Sequence, residues 1–297
     1  MASLLHQSKG KWKSLLTEIL ELDPEILDGN HRPCPACGGV DRFRFDDLEG
    51  RGTYYCAGCG AGAGLSLICK VKGITSGAAW NLVKAALPEA TETETKPKED
   101  YRPFIKRVLA KAVVIAPGDS IYQYLTSRGI FEPPKTILRA PTIFPKETDP
   151  WMMVCRVVKG NRLAGIHLTL LKDGKRHQRL MYGLSEGSLK GGAIRLHPLE
   201  SRGIVGELVV GEGVETSLSA AQYFDRPAWS CMNAVLLEQV EIPNIVTDLM
   251  IAGDNDATYT GQRAAFVRAN KSVVVEHRKT TVMIPEKVGA DWNSVAS

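Results

Sequence analysis

Apolar residues recur with two different periods in the N-terminal part of the chain. Residues 41–45 and 52–55 alternate between apolar and polar side chains, which is typical of half-buried strands. Apolar residues at helical spacing follow in segments 65–72 and 76–87. The pattern predicts a small hairpin against which two helices pack.

Residues 88–100 interrupt this pattern. They read PEATETETKPKED, with two prolines and almost no apolar side chain. A segment of this composition cannot bury enough apolar surface to fold on its own, so we expect an exposed, flexible linker. The linker separates a first domain, residues 1–87, from the remainder of the chain.

Residues 101–205 show two helical patterns followed by two strand patterns. Helical spacing predicts helices at 101–112 and 120–128, and apolar runs predict paired strands at 152–158 and 163–171. A polar segment rich in cations and glycine follows, and it predicts flexible backbone. We therefore expect an α+β subdomain that ends in a basic, flexible segment.

Residues 206–297 repeat one unit, in which a short apolar run ends in acidic residues and a helix follows. The runs are 207–211 and 248–253, and a further strand pattern lies at 280–284. Strands that alternate with helices predict a parallel sheet. The carboxyl ends of parallel strands open onto one edge, so the acidic residues that follow the runs should meet there.

The composition, with 44% apolar and 24% charged residues among 297, is that of a globular protein of about two domains. No run of 18 apolar residues occurs, and the polar N-terminus lacks a secretory signal pattern. We therefore expect a cytoplasmic protein with no membrane partner. Seven cysteines in such a chain favour metal ligands and thiols over a disulfide framework.

Four of the cysteines form two Cys-x-x-Cys pairs with 18 residues between them. This spacing falls in the range of four-cysteine zinc sites. It predicts one structural zinc ion, with the ligands Cys34, Cys37, Cys56 and Cys59. Four protein ligands leave no position for water or substrate, so the zinc ion would hold a zinc ribbon together and take no part in chemistry.

The net charge of +4 is unevenly distributed. Residues 101–205 carry 18 basic and 7 acidic side chains, whereas residues 206–297 carry 7 basic and 12 acidic ones. A basic block beside an acidic block suits a phosphate-rich partner handled together with divalent cations, although a solvated basic face would give the same count. Candidate DNA-binding residues in the ribbon are Arg42, Arg44, Arg51 and Tyr54, and candidate nucleotide-binding residues in the centre are Lys190, Arg195, Arg176 and Arg179.

Candidate metal ligands follow the predicted strands of the last block. Glu212 follows the first run, Asp254 and Asp256 follow the second, and Asp291 comes after the third strand pattern. Carboxylates that meet raise each other's pKa unless a cation lies between them, and their oxygens are the ligands that Mg²⁺ prefers. We predict a catalytic Mg²⁺ or Mn²⁺ site with an open number of ions. An Asp-x-Asp sequence is also common as a helix cap or turn.

Three groups of residues together resemble the primases of bacteria, phages and plasmids. The segments 211–216 (GEGVET) and 253–256 (GDND) resemble the Toprim domain, which primases share with topoisomerases, some nucleases and a recombination mediator. The cysteine segment 31–64 resembles the primase zinc-binding domain. Segments 181–183 and 190–196 are similar to the basic half of the primase polymerase core, and the three groups stand in primase order.

The resemblance implies a fold and an activity. The fold is α/β, with a small N-terminal zinc ribbon, an α+β basic subdomain and a C-terminal Toprim-like parallel sheet flanked by helices. The activity is that of a DNA-directed RNA polymerase, which makes short RNA primers on single-stranded DNA from nucleoside triphosphates. Glu212, Asp254 and Asp256 would bind the catalytic metal, and Asp291 matches the third acidic position of the family.

The sequence departs from the family pattern at two positions. Bacterial replicative primases place an aspartate four residues after the first glutamate and a second acid two residues after the third-motif aspartate. Thr216 and Asn293 occupy these positions here, and Glu215 is the candidate substitute for the first.

Other functions and partners follow from the same resemblance. A zinc- and Toprim-containing DNA-binding protein of recombination or regulation, and a Toprim nuclease, are the alternatives to a primase. The sequence contains no GxxxxGK[ST] motif, so we expect a separate helicase as partner. The resemblance also suggests an origin in a phage, a plasmid or another mobile element.

Overall fold

The structure is a computed structural model that describes residues 4–90, 100–200 and 206–296. The chain divides into two compact units, Met1–Glu99 and Asp100–Ser297. Most of the predicted linker, residues 91–99, lies outside the described residues. Its first residues belong to the first unit, because Ala90 is only 7% exposed and packs in the core of that unit.

The first unit is a four-stranded antiparallel sheet with helices packed against it. The strands lie side by side in chain order. They are β1 (Arg32–Cys34), β2 (Gly38–Phe45), β3 (Tyr54–Cys56) and β4 (Gly60–Gly62). The helices are α1 (Leu4–Gln7), α2 (Trp12–Leu20), α3 (Gly64–Lys72) and α4 (Ser76–Ala86), with short 3-10 turns at Pro24–Leu27 and Leu48–Gly50. The predicted hairpin is β2 and β3, and the two predicted helices are α3 and α4.

The core of the first unit forms between the sheet and helix α2. Phe43 and Tyr54 face each other across β2 and β3 with ring centroids 5.4 Å apart. Trp12 of α2 packs so closely on Gly64 that a Cβ atom at Gly64 would overlap the indole ring. Helix α2, whose buried residues are Trp12, Leu15 and Leu16, was not predicted from the sequence.

The second unit is built on one mixed sheet. Its strands are β5 (Val113–Val114), β6 (Leu138–Pro141), β7 (Trp151–Lys159), β8 (Arg162–Lys172), β9 (Lys175–Gly183), β10 (Ala193–Arg195), β11 (Glu207–Gly211), β12 (Ala228–Ser230), β13 (Asp248–Ala252) and β14 (Lys279–Met283). Among the described residues the main path of the sheet runs in the order β14-β13-β11-β12-β10-β7-β6-β5, while β8 pairs with β7 and β9 pairs with β8.

Helices cover this sheet. They are α5 (Arg102–Ala110), α6 (Ser120–Ser127), α7 (Val214–Phe224), α8 (Ala234–Gln239), α9 (Thr260–Val274) and α10 (Trp292–Ala296). Helices α6 and α7 share one apolar core with β7 and β8, to which Ile121, Cys155 and Leu218 contribute. In the part of the chain that the structure describes, no helix combines the length and apolar character that a membrane crossing requires.

The C-terminal half of the sheet is parallel, as the sequence predicts. Strand β11 pairs in parallel with β12 on one side and β13 on the other, and β13 pairs in parallel with β14. Strand β10 runs antiparallel to β12 and to β7, and so connects this half to the antiparallel half. Strand β12 was not predicted because three residues are too short to show a period.

The prediction of a flexible basic segment is wrong for residues 175–183. They form strand β9, which pairs antiparallel with β8 over its whole length. Most side chains of β9 are exposed, so the strand lacks the alternation of apolar and polar residues that identifies a half-buried strand. The arginines of β9 therefore lie on a rigid sheet.

Packing at Gly64 can be tested by adding one methyl group. We expect Gly64→Ala to lower the free energy of unfolding by about 1–3 kcal/mol, because the new Cβ atom would overlap Trp12. Gly77→Ala is the matched control, since a Cβ atom there would meet nothing within 4 Å. Urea unfolding followed by tryptophan fluorescence measures both, and equal stability of Gly64→Ala and wild type would contradict this packing.

Candidate functional site

The four predicted zinc ligands meet at one end of the first unit. Cys34 ends β1 and Cys56 ends β3, while Cys37 and Cys59 lie in the turns that follow. Their Sγ atoms all lie within 4.8 Å of one another. The Cys34–Cys59 and Cys37–Cys56 pairs are 3.8 and 3.7 Å apart. A tetrahedron with Zn–S bonds of about 2.3 Å has sulfur–sulfur edges of about 3.8 Å, so the four thiols fit a zinc ion.

The electrostatics of the cluster also favour a cation. Burial and the neighbouring sulfurs raise the pKa of the Cys59 thiol, and burial raises the pKa of Cys34. The backbone N–H groups of Gly58 and Cys59 donate to Cys56 Sγ, each at 3.4 Å. All seven cysteines are free thiols. A bound zinc ion would keep the four thiols of the cluster in the thiolate form and would tie the strands of the ribbon together.

The predicted DNA-binding residues of the ribbon differ in accessibility. Arg44 forms an ion pair with Asp46 at 2.7 Å, and its side chain is 44% exposed. Arg51 Nε lies 3.5 Å from Glu49 Oε2, and 42% of the Arg51 side chain is exposed. Arg42 is partly buried beside the cysteine loops and lowers the pKa of Cys37. Tyr54 is 2% exposed, so its ring belongs to the core and a stacking role for it does not fit the structure.

A second cluster lies where the parallel strands end. Gly211 of β11 pairs with Ala252 of β13, so the chain leaves both strands at the same edge of the sheet. A Cβ atom at Gly261, in the first turn of α9, would lie 3.0 Å from Glu212 Oε1 and 3.1 Å from Asp254 Cβ. The glycine therefore lets both acidic side chains approach the start of α9. The structure brings Glu212 and Asp254 together at this acidic edge.

Asp256 belongs to the same edge. The backbone N–H of Gly261 donates to Asp256 Oδ2 at 2.9 Å. Gln262 Nε2 donates to Asn255 Oδ1 at 2.7 Å and to the Asp256 carbonyl at 2.9 Å. Asp256 Oδ2 thus caps helix α9, which is the role as a helix cap that an Asp-x-Asp sequence commonly has. The cap also fixes the carboxylate next to Glu212 and Asp254.

Burial and mutual repulsion perturb these carboxylates strongly. Burial, followed by the charges of Asp254 and Asp256, raises the pKa of Glu212 to about 8. Burial, followed by the charges of Asp291 and Asp256, raises the pKa of Asp254 to about 7. Glu212 Oε1 and Asp254 Oδ1 are buried without a hydrogen-bond partner among the described residues. Two orphaned carboxylate oxygens at a repulsive edge are the donor set that a divalent cation fits.

The spacing of the acidic edge differs from that of the zinc cluster. Within the described ranges, only the four cysteines bring three or more ligand atoms within 4.8 Å of one another. A looser arrangement suits Mg²⁺, because this ion keeps several waters and takes one or two carboxylates together with substrate phosphates. The residues fit a cation with open coordination positions.

Asp291 lies near Asp254, where its charge adds to burial in raising the pKa of Asp254. Asp291 Oδ1 accepts from the Ser294 N–H at 2.8 Å and so caps helix α10. Thr216, at the position where the family has an aspartate, donates to Asp291 Oδ2 at 3.5 Å. Asn293 is fully buried and donates to the Arg128 carbonyl and to Ser219 Oγ at 2.6 and 2.8 Å. The two departures from the family pattern therefore make structural contacts.

Glu215 does not substitute for the missing aspartate at the acidic edge. It is 3% exposed and accepts a hydrogen bond of 2.6 Å from the hydroxyl of Tyr124 on α6. Arg176 Nη1 lies 3.7 Å from its Oε1. The expectation failed because a helix rotates by about 100° per residue, so neighbouring positions face different partners.

The predicted nucleotide-binding residues separate into two groups. Arg179 lies next to the acidic edge, because a Cβ atom at Gly213, the neighbour of Glu212, would lie 3.8 Å from Arg179 Nη1. Burial raises the pKa of Glu212 and Asp254, and the charge of Arg179 offsets part of that rise. The guanidinium of Arg195 lies 4.7 Å from the ring centre of Trp229 and donates to the Gly160 carbonyl. Strand β10 runs antiparallel to β12, which carries Arg195 away from the edge where β11 and β13 end. Lys190 is exposed in the turn before β10.

Fold and site define a chain that joins a zinc ribbon to a Toprim domain. The family model described as a Toprim domain matches residues 207–297. The family model described as the zinc-binding domain of primase-helicase matches residues 29–65. These two matches confirm the predicted zinc ribbon and the predicted Toprim domain.

Solved structures of primases are similar to this chain at low identity. The primase fragment of the bacteriophage T7 primase-helicase protein is 16% identical, with 89% of this chain and 92% of that chain covered and a TM-score of 0.41. The Aquifex aeolicus primase, with its zinc-binding and RNA polymerase domains, is 15% identical over 99% of this chain and 82% of that chain, with a TM-score of 0.39. The assignment of the two domains rests on the family models, because these structural similarities are distant.

The zinc centre predicts a selective effect of cysteine substitutions. We expect the wild-type chain to hold one zinc ion and Cys34→Ser to lose it, because three ligands bind far more weakly than four. Cys69→Ser is the control, since Cys69 lies outside the cluster. Metal analysis after dialysis against a mild chelator measures the zinc content. Wild-type zinc content in Cys34→Ser would contradict the assigned ligands.

The acidic edge predicts a stability change with an unusual sign. Without divalent cations, folded Glu212 keeps its proton up to about pH 8, so stability falls as the pH rises from about 4.5 to about 8. We expect Glu212→Gln to raise the melting temperature at pH 8 by about 2–4 °C in buffer free of added Mg²⁺ and Mn²⁺. Near pH 4.5 the two proteins should melt together.

Calorimetry of the full chain measures this effect, with Glu147→Gln as the control at an exposed glutamate. Mn²⁺ should raise the melting temperature of the wild type at pH 8 more than that of Glu212→Gln, because the variant loses a metal ligand. A lower melting temperature of Glu212→Gln at pH 8 would show that this carboxylate is not under repulsion.

Proposed function

We propose that this protein is a primase, which synthesises short RNA primers on single-stranded DNA from nucleoside triphosphates in a reaction that depends on divalent cations. The observation that carries the proposal is the meeting of Glu212, Asp254 and Asp256 at the acidic edge of a Toprim domain. The same chain carries a zinc ribbon of the primase-helicase type.

Nucleotidyl transfer forms one phosphorus–oxygen bond and breaks another. The 3′-hydroxyl of the growing primer loses its proton to water, its oxygen attacks the α-phosphorus of the incoming triphosphate, the α–β anhydride bond breaks and pyrophosphate leaves. Divalent cations bound at the acidic edge would supply the charge that stabilises the leaving pyrophosphate and lowers the pKa of the hydroxyl. Such chemistry depends mostly on positioning and on charge stabilisation.

The residues of this chain then have separate tasks. Glu212 and Asp254 offer buried carboxylate oxygens to the cations, and Asp256 is oriented by the first turn of α9. Arg179, which already acts on both buried acids, is the cation best situated for the triphosphate. Its guanidinium could hold two phosphate oxygens at once, which a lysine cannot do.

The ribbon would contact the template. Arg44 and Arg51 keep exposed guanidinium groups near the surface of the ribbon, where they suit the phosphates of single-stranded DNA. Their ion pairs are exposed and therefore weak, so exchange of the acidic partner for a phosphate costs little. The zinc ion itself would hold the ribbon in shape. A replicative helicase belongs to this proposal as the partner of the primase.

Substitutions at the acidic edge test this function. We expect Asp254→Ala and Glu212→Gln to reduce primer formation from labelled ribonucleotides at least 100-fold, because each removes a metal ligand. Binding of single-stranded DNA should survive in both. Glu286→Gln is the matched control, since Glu286 is an exposed acid of the same domain.

The outcomes separate the candidate functions. Normal primer synthesis by Asp254→Ala would reject the acidic edge as the catalytic site. A wild-type chain that degrades DNA in Mg²⁺ and incorporates no nucleotide is a nuclease. A wild-type chain that binds DNA, incorporates nothing and degrades nothing is a DNA-binding protein. Either of the last two results overturns the proposal of a primase.

A further inference from the structure

Glu215 is a buried acid that the reaction described above does not use. It lies in the first turn of α7, three residues after Glu212, and is 3% exposed. Its pKa is lowered despite burial, because the Tyr124 hydroxyl, its own backbone N–H and two arginines favour the charged form. Burial of an ionised carboxylate costs several kcal/mol unless partners compensate. The partners of Glu215 therefore indicate what the charge does.

Two of these partners lie on strand β9, and a bulge brings them to one face. In the β8–β9 pairing Arg179 lies opposite Thr169 and Arg176 lies opposite Leu171, with a register shift between Leu170 and Leu171. Thr169 and Leu171 are two residues apart and share a face of β8. Without the bulge, arginines three positions apart would point to opposite faces. Bulges beside functional sites commonly redirect side chains in this way.

The shared face is the one on which α6 and α7 pack. Leu171 of β8 belongs to the same apolar core as Val214 of α7 and Ile121 of α6. Arg176 Nη1 lies 3.7 Å from Glu215 Oε1. Tyr124 of α6 donates to the same oxygen at 2.6 Å and so fixes the carboxylate from the other side. Glu215 is thus held between a helix and the arginine-bearing strand.

Arg179 connects Glu215 to the acidic edge. A Cβ atom at Gly213 would lie 3.8 Å from Arg179 Nη1 and 3.8 Å from Glu215 Oε2, so both groups border the same glycine. Arg179 also lowers the pKa of Glu212 and of Asp254. Both arginines are exposed, whereas Glu215 lies behind them. This geometry offers the guanidinium groups to an anion that approaches the acidic edge from solvent.

We propose that Glu215 is a positioning residue, whose buried carboxylate, fixed by Tyr124, orients Arg176 and Arg179 toward the triphosphate of the incoming nucleotide. The inference rests on the proposed function, and it assigns to Glu215 the role of a counter-ion for the arginines in place of a metal ligand.

Two binding measurements on the full chain distinguish these roles of Glu215. We expect Glu215→Gln to weaken binding of ATP in the presence of Ca²⁺ about tenfold and to leave the affinity for Mn²⁺, measured without nucleotide by electron paramagnetic resonance, unchanged. Glu215→Asp should recover part of the ATP affinity, because it restores the charge. Lys172→Gln is the control, since it removes an exposed cation at the end of β8.

A combined substitution tests whether Glu215 acts through the two arginines. If it does, adding Glu215→Gln to a chain that already carries Arg176→Gln and Arg179→Gln should not weaken ATP binding further. In primer synthesis, Glu215→Gln should raise the KM for nucleotide about tenfold with little change in kcat. Tyr124→Phe, which removes only the hydrogen bond to Glu215, should weaken ATP binding about threefold and serves as the readout if Glu215→Gln does not fold.

Three results would overturn the inference. They are a loss of Mn²⁺ affinity in Glu215→Gln, unchanged ATP affinity in a folded Glu215→Gln or Tyr124→Phe, and a further loss of ATP affinity when Glu215→Gln is added to the chain that lacks both arginines. Failure of the proposed function would look different, because a wild-type chain that makes no primers rejects the primase whatever the variants bind.

Discussion

The candidate active site depends on one constraint, the repulsion between carboxylates at the end of a parallel sheet. Glu212 and Asp254 lie where burial removes most of the solvent that would screen them, and their pKa values of about 8 and about 7 reflect it. A fold that keeps such an edge tolerates a local cost in stability. Binding of a divalent cation would recover this cost, and that coupling makes the edge a candidate active site.

The cysteine cluster and the acidic edge differ in how their ligand atoms are arranged. The cysteine cluster is compact, with four sulfurs at tetrahedral spacing, and leaves no position for a substrate. The acidic edge is looser, with two orphaned oxygens and arginines nearby. Hard ligands in an open arrangement suit an ion that exchanges waters for phosphates. The zinc site would therefore maintain the shape of the ribbon, and the acidic edge would supply the chemistry.

The sequence predicted those features that depend on the local period of apolar residues and on the order of strands and helices along the chain. The meeting of Glu212 with Asp254 follows from two parallel strands that each end in acids, and the zinc ligands follow from spacing alone. Strand β9 escaped prediction because its side chains are mostly exposed and show no period, and its bulge is a property of the pairing with β8. For the same reason Arg179 could not be ranked above Arg195, whose place beside Trp229 depends on the register of β10. The burial of Tyr54 and the rotation of Glu215 toward Tyr124 are tertiary packing effects that a strand or helix pattern does not encode.

Anomalous diffraction from crystals of the full chain soaked in Mn²⁺ shows whether the acidic edge binds a divalent cation. We expect a manganese peak bonded to carboxylate oxygens of Glu212 and Asp254 at the acidic edge, and a separate zinc peak among the four cysteines. Two results would contradict this expectation. One is an acidic edge without manganese in crystals that hold the ion elsewhere, and the other is an acidic edge without manganese in which Arg179 alone neutralises the two acids.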